Sequence, residues 1–255
     1  MTNRFSLKGR TCLVTGASSG LGAHFARVLA DAGAAVVLAA RRTDRLEALA
    51  AAIGAAGGKA VAVALDVTDP ASVGRAFEAA EAALGPITVL VNNAGVPSAK
   101  YFLKTSEDDW RAVMAVNLDG VFRVGQAAAR RMVANKTGGS IINIASILGL
   151  APQKTLAPYA ASKAAVISLT ESMALELARD RVRVNAIAPG YFSTEINTGF
   201  LDTPAGKKML AGIPMGRFGE LANLDGALLL LASEAGAFMT GAVIRVDGGH
   251  LLGGS

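Results

Sequence analysis

The chain has 255 residues, of which 52% are hydrophobic and 18% charged, with a formal net charge of +5 and a single cysteine. Cys12 alone excludes an internal disulfide, and with only His24 and His250 beside it no cluster is spaced to ligate a metal. The longest apolar runs, AAVVLAA at 34–40 and ALLLLA at 227–232, are too short to span a bilayer, and the opening MTNRFSLKGR lacks the apolar stretch of a secretory signal, so a cytoplasmic protein is expected.

In chain order, RTCLVT at 10–15 predicts a first strand that runs into Thr15-Gly16-Ala17-Ser18-Ser19-Gly20-Leu21-Gly22, with a helix over 20–32. Glycines at a strand-to-helix turn let backbone amides approach a pyrophosphate, and the helix N-terminus adds partial positive charge. The spacing is G-x-x-x-G-x-G rather than G-x-G-x-x-G, and an ordinary Gly/Ser-rich turn is the plainer alternative. A second strand at 34–40 ends Ala39-Ala40-Arg41-Arg42, where dinucleotide folds that bind NAD carry an acidic residue. Here no carboxylate stands ready to repel a 2′-phosphate, and two guanidiniums are available to clasp it, so NADP is expected. Arg41, nearer the strand end, is the expected contact, with the other arginine solvating the start of a helix over 43–56.

A third strand at 60–65 leads to Asp66-Val67, and Thr68-Asp69-Pro70 offers a cap and a first-turn proline to a helix over 70–84. A fourth strand at 87–91 leads to Asn92-Asn93-Ala94-Gly95. On the ligand edge of a sheet, Asp66 suits an adenine amine and the small turn suits close approach of a ribose, although either is equally a plain turn or cap. A long helix follows over 107–134, then a strand at 139–145 ending Asn143-Ile144-Ala145-Ser146. A helix over 157–179 opens with PYAASKA, followed by a strand at 182–187, a helix over 220–233 and a strand at 242–246.

Strand and helix alternate throughout. With right-handed crossovers this predicts α/β architecture in one domain over 1–255: a doubly wound, Rossmann-type parallel sheet of about seven strands, helices on both faces, and the ligand beyond the strands' carboxyl ends. The arginines come in separate small groups and aromatic residues make up only 5%, so the positive charge does not indicate nucleic acid.

Tyr159 and Lys163 are four apart, one turn along one helix face. A phenol titrates near 10 in isolation; a cation held close draws that value down toward a useful acid/base range. Ser146 at the end of the fifth strand is placed to hold a substrate oxygen against that phenol. A buried aromatic beside a solvated lysine is the structural alternative for the pair alone.

Together these residues resemble the short-chain dehydrogenase/reductase family. TGASSGLG, NNAG, Asn117 within VNLDG, Ser146, YAASK and Pro189-Gly190 with Thr194 occur in that family's order and at its intervals, from about residue 7 to Gly249. The resemblance implies that Tyr159 is the general acid/base, that Ser146 polarises the carbonyl, and that Lys163 lowers the phenol's pKa and bonds the nicotinamide ribose. It implies that Asn117 interrupts the helix around it and links Lys163 to a proton relay through its backbone carbonyl. For the cofactor it implies Gly16, Ser18, Ser19, Gly20, Leu21 and Gly22 around the phosphates and Asp66 and Val67 at the adenine. Asn93, Ala94 and Gly95 would lie along the ribose, and Pro189, Gly190 and Thr194 beside the nicotinamide. NADP-preferring members often carry a basic residue past the second strand, in agreement with Arg41 and Arg42; some carry another within the glycine loop, where this chain has Ser19.

The implied activity is NADPH-dependent reduction of a ketone or aldehyde to an alcohol. Ile147, Leu148, Tyr191, Phe192, Ile196 and Phe200 are expected to frame the substrate, with a lid near 195–214. No charged anchor is obvious among them, so a neutral, fairly hydrophobic substrate is expected. Reduction of 3-oxoacyl groups on an acidic carrier protein is the alternative, and a non-catalytic NADP-binding sensor a distant one. The family commonly forms homotetramers, which the long apolar helices allow.

Overall fold

Along β1 (Thr11–Thr15) side chains alternate between two apolar layers: Cys12 and Val14 join one, Leu13 the other. The same alternation runs through β2 (Ala35–Ala40), where Val36 and Leu38 face one layer and Val37 and Ala39 the opposite one. Strands read as continuous apolar runs because both faces are covered. In the computed structural model, which describes residues 3–193 and 203–253, these strands belong to a parallel sheet of seven. The others are β3 (Lys59–Ala64), β4 (Val89–Asn92), β5 (Gly139–Ile144), β6 (Val182–Pro189) and β7 (Val243–Val246). Their spatial order is β3-β2-β1-β4-β5-β6-β7.

One face is covered by α1 (Gly20–Asp31), α2 (Thr43–Ala55) and α8 (Asp225–Ala232), through Phe25, Leu29, Leu46 and Leu228. The other is covered by α3 (Pro70–Leu84), α5 (Gly120–Ala134) and α6 (Ala157–Leu177), through Phe77, Val124, Met132 and Ala174. Phe25 and Phe77 are wholly buried, each contributing about 1.5–3 kcal/mol relative to an exposed ring. Asp69 caps α3 by accepting from the Ala71 amide ahead of Pro70 as expected, and Gly85 ends that helix with φ of 79°, a backbone state that disfavours a side chain. Among the described residues no helix is long and apolar enough to cross a membrane.

Two of the expected helices are divided. The segment 107–134, a long helix with an interruption at Asn117 implied by the family resemblance, is α4 (Glu107–Met114), a π-helical turn at Ala115–Asp119, and α5. The turn exists because Asn117, fully buried, spends its carboxamide on the loop that follows β4, accepting from the Val96 amide at 2.8 Å and donating to the Val96 carbonyl at 3.0 Å. The segment 220–233 divides into a short 3₁₀ turn at Leu221–Leu224 and then α8. Within the stretch expected as a lid, α7 (Pro204–Ala211) starts with Thr203 accepting from the Gly206 amide.

The strand order reverses between β1 and β4, which pair in parallel with Leu13 opposite Leu90. Connections leave these two strands toward opposite sides, so their carboxyl ends open a crevice where a ligand can sit.

Candidate active site

At the carboxyl end of β1 the Thr15 hydroxyl accepts from the amides of Asn93 and Ala94, both at 3.0 Å. Asn93 returns a bond from its Nδ2 to the Thr15 carbonyl at 2.9 Å. The glycine loop and the NNAG turn are thus stitched into one floor. Asn93, expected along a ribose, borders the cleft and spends its Nδ2 on the loop. Thr15 was legible only as the first residue of the glycine-loop motif; its bonds to the Asn93 and Ala94 amides join two distant turns and carry no local pattern.

Gly16, Ser18, Ser19, Gly20 and Leu21 line a cleft of about 890 Å³, together with Asp66, Val67, Ala94, Gly95, Pro189 and Gly190. Gly22 does not line it. A Cβ there would collide with the Gly16 carbonyl and come within 2.6 Å of Asn93 Nδ2, so this glycine lets α1 press against the loop. Gly22→Ala is expected to cost about 1–3 kcal/mol, as overpacking does; a melting midpoint equal to that of the unaltered protein would show that the loop yields freely.

Both arginines border the cleft. Arg42, not Arg41, reaches back onto the glycine loop, its Nη2 donating to Ser18 Oγ at 2.8 Å and Ser19 Oγ at 3.0 Å. A cation therefore lies on the loop without a basic residue inside it, because Ser18 and Ser19 supply acceptors that the strand end does not. Arg41 also lines the cleft, exposed, and its charge adds to what holds Asp66 below the usual carboxylate range. The leading cause of that lowering is Thr68, whose amide and hydroxyl both donate to Asp66 Oδ1 at 2.9 and 2.7 Å. Asp66 is thus a turn residue whose one oxygen is engaged, while the residue still borders the cleft.

At the far end, Ser146 follows β5 and accepts from the Leu148 amide at 3.1 Å, while its hydroxyl acts on the Tyr159 phenol across the cleft, favouring the anion. Lys163 is buried, donates to the Ile144 carbonyl at 2.7 Å, and lies 5.7 Å from the centre of the Tyr159 ring. Burial pulls this ammonium down to about 8. The phenol departs from the expectation of a lowered value: burial pushes it up, and Ser146 only partly offsets this. Removing the aromatic hydroxyl from water disfavours its anion, and helical spacing carries no information on that cost.

Asn117 reaches this group through its side chain. Its Nδ2 donates to Ser162 Oγ at 3.2 Å, and Ser162 donates to the Tyr159 carbonyl at 2.7 Å. A Cβ on Gly95 would lie 3.4 Å from Asn117 Oδ1 and 3.7 Å from Lys163 Nζ, so both groups converge above that glycine.

Of the expected substrate residues, Tyr191 and Phe192 line the cleft. Ile147 and Leu148 do not; they are buried behind it with Ala160, and Tyr159 and Tyr191 pack against them, because the turn after Ser146 points its apolar side chains into the fold. Thr194, Ile196 and Phe200 lie outside the described residues.

A family model described as short chain dehydrogenase matches residues 10–204. The chain is 40% identical over 246 residues to gluconate 5-dehydrogenase of Gluconobacter oxydans, covering 96% of each chain. It is 39% identical over 246 residues to a 3-oxoacyl-[acyl-carrier-protein] reductase of Thermotoga maritima, covering 96% of this chain and 99% of that one. The crystal structure of a gluconate 5-dehydrogenase from Burkholderia cenocepacia, in complex with NADP and tartrate, superposes with a TM-score of 0.94 at 42% identity over 98% of each chain.

Proposed function

Because the chain belongs to the short-chain dehydrogenase family and is an NADP-dependent oxidoreductase of CH–OH groups, we propose that Tyr159 is its proton donor and acceptor. Ser146 holds the substrate oxygen and Lys163 supplies the cation behind them. The observation that carries this reading is the convergence of Ser146, Tyr159 and Lys163 at one end of a cleft whose other end is the glycine loop with Arg42.

The cleft fits a dinucleotide phosphate. The close approach of Gly22 to Gly16 leaves a loop free of side-chain bulk, and Arg42 places a guanidinium on that loop beside Arg41. Ser18, Ser19, Arg41 and Arg42 would hold its phosphates, Asp66 and Val67 its adenine, and Lys163 its nicotinamide ribose. Bound NADPH supplies the hydride.

Ser146 donates a hydrogen bond to the carbonyl oxygen and so favours the negative charge that develops there. Tyr159 passes its proton to the same oxygen. Burial keeps that proton in place at neutral pH, which suits reduction. The phenolate left behind is the state that needs the ammonium of Lys163, so the lysine acts after proton transfer more than before it. Asn117 is a positioning residue, fixing the first turn of α6 through Ser162.

Oxidation of NADPH against ketones, aldehydes and 3-oxoacyl thioesters tests this reading, and its pH dependence gives the sign. Reduction needs the protonated phenol, so its kcat is expected to stay level through neutral pH and fall in alkali as Tyr159 ionises. Alcohol oxidation needs the phenolate and is expected to rise about tenfold per pH unit until about pH 8, where the Lys163 ammonium that supports the phenolate begins to be lost. Equal pH profiles in the two directions would count against Tyr159. Binding of NADPH without consumption of any carbonyl would favour a sensor instead.

The similarity to a carrier-protein reductase and the net charge of +5 support reduction of 3-oxoacyl groups as a second reading. A homotetramer is supported by the apolar side chains left exposed at Phe122, Leu175, Phe238 and Leu252. A cytoplasmic location is supported by the dependence on NADPH, and α7 supports a substrate lid within 195–214.

A further inference from the structure

Tyr159 and Tyr191 pack on the same small apolar cluster and border the same cleft, yet their hydroxyls are turned to different partners. Tyr159 meets Ser146; Tyr191 donates to Gln153 Oε1 at 2.6 Å, across from the turn after β6 to the loop that precedes α6. The His250 ring stands edge-on to Tyr191, 5.1 Å between centroids at 82°, which fixes the phenol from its other side. The Tyr191 hydroxyl hydrogen is thus engaged, and the oxygen presents its lone pairs. The carboxamide N–H groups of Gln153, an exposed residue, are engaged by no described residue.

We propose that Gln153 and Tyr191 form a hydroxyl-reading pair, and that the substrate is a polyhydroxylated carbonyl compound whose chain hydroxyls exchange hydrogen bonds with both. This rests on the reduction at Tyr159 and goes beyond it by naming the substrate class. An aliphatic alcohol group is donor and acceptor at once, and the pair offers an acceptor and donors one hydrogen bond apart. An alkyl or acyl chain laid on the same wall would cover Tyr191 and strip it of water without replacing those bonds, which is where a polar pocket discriminates most strongly. Of the apolar residues behind the expectation of a hydrophobic substrate, Ile147 and Leu148 lie behind the cleft, while Tyr191, whose hydroxyl is bonded to Gln153, lines it with Phe192.

The test compares NADPH oxidation by the full chain with L-erythrulose and 5-keto-D-gluconate against butanone and 5-oxohexanoate, matched chains without the hydroxyls. The unaltered enzyme is expected to prefer the hydroxylated compounds in kcat/KM by at least about tenfold, the scale of one or two well-made hydrogen bonds. Gln153→Leu and Tyr191→Phe are each expected to lower that preference about tenfold, with the loss in KM for the hydroxylated compounds. Gln153→Glu keeps the acceptor for Tyr191 but removes the N–H donors, and is expected to lose the preference as well. A preference for the plain ketones, or the same preference in all three variants, overturns the proposal while the reduction at Tyr159 stands. No turnover of any carbonyl overturns both.

Discussion

Tyr159→Phe is expected to lower kcat for carbonyl reduction by about three orders of magnitude, within the range typical of a lost general acid. The ring is retained, and it keeps its packing against the cluster of Ile147, Leu148 and Ala160, so the fold should survive the change. Affinity for NADPH, measured by fluorescence titration, is expected to stay within about twofold, since one oxygen at the substrate end is all that is lost. The other phenol of the cleft is held elsewhere, because the Tyr191 hydroxyl donates its hydrogen bond to Gln153. Turnover near the original rate in this variant would remove Tyr159 from the chemistry and leave Ser146 to explain the activity alone.

Replacing the two arginines after β2 is expected to reverse the cofactor preference. Charge-assisted hydrogen bonds to a phosphate are worth about 1.5–3 kcal/mol each, so Arg41→Asp combined with Arg42→Asp should cut the ratio of NADP to NAD efficiency by about 100-fold or more. An introduced carboxylate repels the 2′-phosphate and accepts from a free ribose hydroxyl, so the two changes act in the same direction. Most of the effect should appear in Arg42→Asp alone, because Arg42 is the residue held against Ser18 and Ser19, whereas Arg41 stands exposed at the strand end. A larger effect in Arg41→Asp would return the contact to Arg41, and an unchanged ratio in the double variant would place the 2′-phosphate elsewhere.

The difference between these two arginines illustrates what can be read before folding is known. That a cation follows β2 is visible in AARR; which of the two reaches the loop depends on hydroxyls more than twenty residues earlier in the chain. The Tyr159–Lys163 pair is similar. Its spacing on one helix face is a local property, and the ammonium does lie beside the ring. The direction in which the phenol shifts follows from burial, which is set by elements that arrive from β5 and β6. Asn117 was legible as an interruption of a helix, but its link to Ser162 and Val96 joins three segments and has no signature in any one of them. The bonds made by Thr15 and Gln153 carried no local signal, and both residues acquire importance only from a partner 78 or 38 residues away.

By itself the sequence determined the alternation of strand and helix, the two-sided burial of the sheet, the glycine loop, and the residue types able to transfer a proton. These depend on periodicity, on backbone freedom and on side-chain chemistry, all of which act over a few neighbouring residues. The tertiary structure alone decided which arginine lies on the loop, which apolar residues stand behind the cleft rather than in it, and that the phenol is shifted upward. Each of those follows from desolvation or from hydrogen bonds between distant segments, and such quantities have no value until the segments are packed together.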